Sequence, residues 1–177
     1  MKRILSGVCC LGLALCCLPL TAQSRMHKAA GATMSDQQFV DFAGQTDMVE
    51  ANLGQLAQTA SDNQAVKDYG QMLVTDHTKD FSDLNAAAQQ ANLTVPTAID
   101  EAHNKEMVGP FQKLKGAAFD HKYIAEMIAG HTKAIAIYKK EADDAQNAAI
   151  KSYAENALPV LQKHLDAAKE LEKNHTK

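Results

Sequence analysis

The chain has 177 residues, with 18 Lys and Arg against 21 Asp and Glu, no Trp, and its four cysteines all at or before Cys17. Charges of both signs are scattered without a basic block, which argues against nucleic acid and anionic membrane surfaces as partners. Beyond Cys17 there is no thiolate site, no disulfide and no cysteine nucleophile, so any site there must use nitrogen and oxygen donors.

Residues 1–22 have the layout of a secretory signal peptide: Lys2 and Arg3, an apolar run from Ile4 to Leu18, then Pro19 to Ala22 as a small-residue cleavage region. The run Leu13-Ala14-Leu15-Cys16 loosely resembles a lipobox, although Leu15 is a poor residue before a modified cysteine. Export is therefore expected. Without Lys2 and Arg3 the formal charge is −5, and no later segment approaches membrane-spanning length. Residues 23–34 are small, polar and aperiodic, a flexible leader. Residues 35–173 then form one helical domain.

Ser35 with Gln38 reads as a capping box. After it Phe39, Ala43, Thr46, Glu50, Leu53 and Ala57 keep helical spacing to about Ala60. Ser61 with Gln64 reads as a second box, followed by a stripe of Val66, Leu73, His77, Phe81, Leu84 and Ala88 that ends near Asn92. These two helices should form an antiparallel hairpin. Pro96 stops it, Thr97 with Asp100 marks another helix start, and Gly109-Pro110 should bend this short crossover helix before Gly116, a candidate left-handed residue.

A third long helix is expected over about 117–142, with Asp120, Tyr123, Ile124, Met127, His131, Ile135 and Tyr138 on one face. Asp143-Asp144 supplies a turn and cap for a fourth, which carries Tyr153, Ala157, Val160, Leu161, His164, Ala168 and Leu171 inward and should kink or split at Pro159. No period-two pattern suggests a strand. The fold class is all-α, a four-helix bundle of up-down hairpins joined by an extra crossover helix.

Each long helix thus places a metal-competent group in an apolar stripe: Glu50, His77, His131 or Asp120, and His164. Buried acids and imidazoles are costly unless paired, hydrogen-bonded or bound to a cation. Asp120 and His131 share a face but stand ~16 Å apart along the helix, so only one of them can join a common centre. With the second turn centred at Asp144, His164 falls nearer in height to Asp120 than to His131. Asp76 and Asp80 flank His77 and read as solvated. His121 reads as a surface residue, and His27, His103 and His175 lie in irregular or terminal segments. Tyr123 and Tyr138 read as core tyrosines whose hydroxyls cap buried acids. The methionines form no array, and there is no hydrolase elbow, phosphate loop or HExxH to mark an enzyme.

Phe39, Thr46, Glu50, Leu53-Gly54 and Ala57, then Val74 and Asp76-His77, then Phe119-Asp120, Tyr123 and His131, then Leu158-Pro159 and His164, resemble the domain of unknown function 4142 family. That resemblance covers about residues 35–172. It implies an exported bacterial protein with a ferritin-like bundle, residing in a periplasm or associated with the outer membrane. Ferritin-like metal sites use Glu from two helices and Glu-x-x-His from two others. Here Val74 precedes His77 and Leu161 precedes His164 by three residues, so the bridging carboxylates of a di-iron centre are missing.

A single transition-metal ion (zinc, copper or iron) held by Glu50, His77, His164 and either His131 or Asp120 is the expectation, serving metal handling or stress protection in the envelope. The alternative is a metal-free structural or protein-interaction module whose Glu/His network fixes helix register. A small apolar-ligand carrier is a third reading, which the Ala-rich packing disfavours.

Overall fold

The structure, a computed structural model, describes residues 34–175; the expected signal segment and residues 23–33 of the leader lie outside them. Four long helices and one short irregular one make up the described residues, with no strand among them. They are α1 (Asp36–Ala60), α2 (Gln64–Ala91), an irregular α3 spanning 101–111, α4 (Gly116–Asp144) and α5 (Ala148–His175). The fold is the expected all-α, ferritin-like bundle.

Local chemistry sets the helix ends. The Ser35 hydroxyl accepts from the Gln38 amide at 3.3 Å and the Gln38 side chain accepts from the Ser35 amide at 2.9 Å, closing the expected capping box. The second box does not form. Ser61 terminates α1, and Asn63, directly before the first turn, caps α2 by accepting from the Ala65 amide at 2.9 Å. Asn92 ends α2 in the left-handed conformation at φ 56°. Asp100, not Thr97, caps α3 and accepts from the His103 amide at 2.8 Å. The Gly109-Pro110 bend appears as a π turn (Asn104–Val108) running into a 3-10 turn (Gly109–Phe111). Gly116 is left-handed, φ 53°, but it opens α4 rather than closing the crossover.

The connection from α2 to α4 runs the length of α1. At one end the Gln37 side chain pairs with both backbone groups of Thr94, and Gln45 donates to the Ala98 carbonyl and accepts from the Asp100 amide. At the other, Lys115 donates to the Thr59 carbonyl. So α4 starts where α2 starts and runs parallel to it, the ferritin-like arrangement with one long crossover. Asp143-Asp144 closes α4 instead of capping α5. The cap is Asn147, and Asp36 reaches across from α1 to accept from the amides of Gln146 and Asn147 at 3.0 and 2.7 Å.

Helix α5 continues through Pro159 instead of splitting there, and Val160, expected to face inward, is 37% exposed beside it. Both Pro159 and Glu155, whose carbonyl loses its N–H partner, are on the exposed face, where water can satisfy that carbonyl.

Two apolar clusters fill the bundle. One gathers Phe39, Leu84, Ile135, Tyr138, Ile150 and Tyr153; the other gathers Leu53, Leu73, Phe111, Phe119, Tyr123 and Met127. On α1, α2 and α4 the sequence passes from one cluster to the other across buried polar residues (Asp47 and Glu50, His77, His131), and on α5 His164 lies between Leu161 of the first cluster and Ala168 of the second. A polar layer is therefore sealed between two apolar plugs.

Helices α1 and α2 approach closely at Gly54 and Gly70, where a Cβ on Gly54 would stand 2.5 Å from the Gly70 carbonyl oxygen. Gly54→Ala is expected to force the hairpin apart and to cost roughly 1–3 kcal/mol in urea unfolding. A variant as stable as the wild type would contradict this close approach.

Candidate metal centre

The centre takes one inward donor from each long helix. Glu50 lies on the α1 stripe, His77 on α2, His131 on α4 and His164 on α5, and all four are at least nine-tenths buried. Glu50 Oε2 stands 3.0 Å from His77 Nε2 and 3.1 Å from His131 Nε2. His131 Nε2 stands 3.2 Å from His164 Nδ1. One ring nitrogen from each of the three histidines falls within 4.8 Å of the others. A Cβ at Gly130 would lie 3.7 Å from Glu50 Oε1, so this glycine lets the carboxylate rest against α4 with no side chain between them.

The outward nitrogen of each ring fixes what the inward one can do. His131 Nδ1 donates to the Met127 carbonyl at 2.8 Å, since a carbonyl can only accept. His77 Nδ1 faces Asp47 Oδ1 at 2.9 Å, and His164 Nε2 faces Asp76 Oδ2 at 2.9 Å. With the outer nitrogens carrying protons, the neutral rings turn lone pairs toward the centre from His77 Nε2, His131 Nε2 and His164 Nδ1. Such outer partners orient histidines in metal sites. His77 Nε2 and Glu50 Oε2 stand 3.0 Å apart as an ion pair, and neither atom has a further hydrogen-bond partner.

This geometry suits a cation. Tetrahedral ligands at metal distances of about 2.0–2.1 Å stand roughly 3.3 Å from one another. The contacts of 3.0, 3.1 and 3.2 Å approach that spacing. A set of three imidazoles and one carboxylate matches ions of the zinc, copper and iron class. A bound ion would supply positive charge at the point where three lone pairs and a carboxylate meet.

Without an ion, protons must do the same work. Burial favours the neutral form of Glu50, but His131 and His77 outweigh it and hold the carboxyl at about 2. Burial likewise opposes charge on His77, yet Glu50 and Asp47 on its two sides raise it well above its ordinary value. Burial pushes Asp47 up to about 7 against the pull of His77. Burial also lowers His164 to about 4, with the neighbouring imidazoles adding to the effect and Asp76 opposing it.

Of the two α4 candidates, the structure brings in His131 and leaves Asp120 out. Asp120 is buried eleven residues earlier on the same helix, beside Phe119 and Tyr123 of the second apolar cluster. The height argument from sequence favoured Asp120 because it centred the turn on Asp144. Residues 145–147 connect the helices, which moves the centre to Gln146. His131 and His164 then differ in height by about 4–5 Å, and Asp120 and His164 by about 12 Å.

Sequence reasoning missed one partner, Asp47, and misplaced two others, Asp76 and Asp80. Asp47, one turn before Glu50 on the same face, is 1% exposed and orients His77; its spacing of three from Glu50 was the available signal. Asp76 and Asp80, expected to be solvated, are half-buried. Asp76 holds His164, and Asp80 accepts from the Tyr153 hydroxyl at 2.7 Å. Tyr153 thus caps an acid in the role expected of Tyr138, whose own hydroxyl meets that of Tyr153 at 3.2 Å. The Tyr123 hydroxyl has no hydrogen-bond partner, so it caps no acid. His121 is exposed as expected, and His103 pairs locally with Asp100. Val74 and Leu161 pack as apolar residues, Val74 against Gly54 and Leu161 in the core, so no bridging carboxylate stands at either place.

An imidazole–carboxylate layer at mid-height, with one inward group from each long helix, defines a helical bundle with a buried histidine cluster and, at the places of Val74 and Leu161, no bridging carboxylate. The chain belongs to the family described as a domain of unknown function, DUF4142, which matches residues 21–171. No curated protein matches it. Among solved structures, CopM in a silver-bound form is similar, with a TM-score of 0.60 and 14% identity over 80% of this chain and 97% of that one. At that identity the likeness is one of fold.

The proton bookkeeping gives a testable sign. A histidine raised in the folded state contributes stability below its unfolded value and loses it as the pH climbs through the folded one. His164 (to about 4) and Glu50 (to about 2) have finished titrating by pH 7, whereas Asp47 and Glu141, each pushed up to about 7, are half protonated there and finish about one pH unit higher. Between about pH 8 and 9, metal-free protein should therefore lose stability chiefly through His77, by up to about 1.4 kcal/mol per pH unit. Urea unfolding of chelator-treated protein checks this, and His77→Gln should flatten the slope.

Proposed function

We propose that this protein holds one transition-metal ion at Glu50, His77, His131 and His164 and serves metal handling or stress protection in the bacterial cell envelope. The observation that carries the reading is the convergence of three imidazole lone pairs and the Glu50 carboxylate on one buried point, each ring held from behind by Asp47, the Met127 carbonyl or Asp76. The signal-like segment 1–22 supports export to a periplasm, with outer-membrane association as the variant. The silver in the CopM structure concerns that protein; here it supports the choice of soft and borderline ions as probes. No group in the centre is arranged as a nucleophile with its base, so the role proposed is binding rather than catalysis.

The metal-free reading has its own support. His77 lies between Asp47 and Glu50, and a protonated ring there can tie α1 to α2 through both of its nitrogens. The two readings differ in what an added ion does.

Protein exported by its host and purified without an affinity tag should contain about one transition-metal ion per chain by mass spectrometry, with both His77→Ala and His164→Ala losing it. An added ion at ~100 times its Kd should stabilise the wild type by about 2.7 kcal/mol and leave the variants unmoved. No ion and no thermal shift with zinc, copper or iron would favour the structural network. Asp76→Asn, which disturbs only the outer partner of His164, should weaken binding roughly 10–100-fold in a competition titration while the chain stays folded.

A further inference from the structure

Helices α2 and α5 do not close fully against each other. A groove of about 770 Å³ runs between them from the Gln90 and Ala148 end to Asp76 and Val160. On its α2 wall stand Asp76, Asp80 and Asp83. Spacings of four and three residues put these carboxylates on one face of the helix, about 5–6 Å apart, as a ladder descending toward the polar layer. The α5 wall is small or uncharged, with Ala148, Ser152, Asn156 and Ala157. Lys79 and Lys163 pair with Asp83 and Asp76 at the outer and inner ends of the ladder, and Asp80 between them accepts from the Tyr153 hydroxyl.

At that inner end a second, smaller cavity begins. Its volume is about 10 Å³, room for roughly one water-sized particle. Asp76, Asp80, Ala157 and Val160 line both spaces, and the smaller one is completed by Leu161, His77 and His164. The crevice thus starts at the acidic ladder and ends on two of the buried imidazoles. His77, 2% exposed, brings to it a ring whose Nε2 has no hydrogen-bond partner beyond Glu50.

We propose that the α2/α5 groove is the path by which a transition-metal cation reaches and leaves the buried centre, with Asp76, Asp80 and Asp83 capturing the hydrated ion and Val160 standing at the inner mouth. This rests on the metal-binding reading above. A hydrated cation reaching the ladder displaces the exposed lysines from Asp83 and Asp76, surface ion pairs that are worth little. It must then shed water before passing a crevice that admits about one water-sized particle. Asp76 is placed to guide that exchange, since its Oδ2 is bonded to His164 Nε2 on the inside while a quarter of the side chain remains exposed to the groove.

Val160 is the residue with which to test the path. It is 37% exposed, lines both spaces and supplies no donor. Chelator-treated wild type, Val160→Trp, Val160→Ala and Asp83→Asn would be mixed with cobalt(II) in a stopped-flow instrument, following the absorption of the ion in its N/O site. Dissociation into excess chelator would be followed the same way, and circular dichroism would confirm that each variant is folded.

Val160→Trp should slow association and dissociation alike by about tenfold, leaving Kd within about twofold, because a plug raises one barrier for both directions. Val160→Ala should keep or raise both rates. Asp83→Asn, far from the donors, should slow association and weaken its dependence on ionic strength. Unchanged rates in Val160→Trp would overturn the path while leaving the metal centre standing, as would faster dissociation with a weaker Kd. A wild type that binds no cobalt(II), zinc(II) or copper(II) at equilibrium would overturn the metal-binding reading itself and the path with it.

Discussion

Three imidazole nitrogens, within 4.8 Å of one another, and the Glu50 carboxylate, 3.0 and 3.1 Å from two of them, face one another in the buried middle of the bundle. Lone pairs so placed repel unless positive charge sits among them, as a proton or as an ion. The requirement dictates the heights of four helices at once. Each must carry its polar residue at mid-length, and each connection must be of a length that brings those residues level. The three-residue links at 61–63 and 145–147 do this within each hairpin, and the long crossover does it between hairpins.

The apolar clusters above and below turn that requirement into a stable layer. Phe39, Tyr138 and Tyr153 close it on one side; Tyr69, Phe119 and Tyr123 close it on the other. The same closure gives the polar groups their altered proton affinities, because low polarity strengthens every charge interaction inside it. It also leaves the α2/α5 seam, where α5 presents small residues, as a break in the packing that leads to the histidines.

Much of this architecture was readable from the sequence. The helical stripes, the Ser35–Gln38 box, the bend at Gly109-Pro110 and the one polar residue per stripe are local patterns of period 3.6, and they survive folding unchanged. The family resemblance pointed to the same bundle. What was not readable depended on distances between segments. Choosing His131 over Asp120 required the turn centre to within two residues, about half a helical turn. Asp76 looked solvated because its own helix places it at the edge of the face; only the arrival of His164 from α5 covers it. Asp47 was hidden by its proximity to Glu50, since one acid in the stripe had already accounted for the signal. Pro159 was read as a break because its cost was assigned without knowing that its turn faces water.

The division of donors between the hairpins has a mechanical meaning. Glu50 and His77, with Asp47 and Asp76 behind them, belong to α1 and α2; His131 and His164 belong to α4 and α5. Neither hairpin can complete the set alone, and the covalent link between them is the long crossover. An ion at the centre would add a cross-brace between two units otherwise joined by packing and by hydrogen bonds such as Asp76 to His164, Tyr153 to Asp80 and Asp36 to the 145–147 link, coupling their unfolding more tightly. Hydrogen exchange at mid-helix amides would then report the state of the centre from the far ends of the bundle.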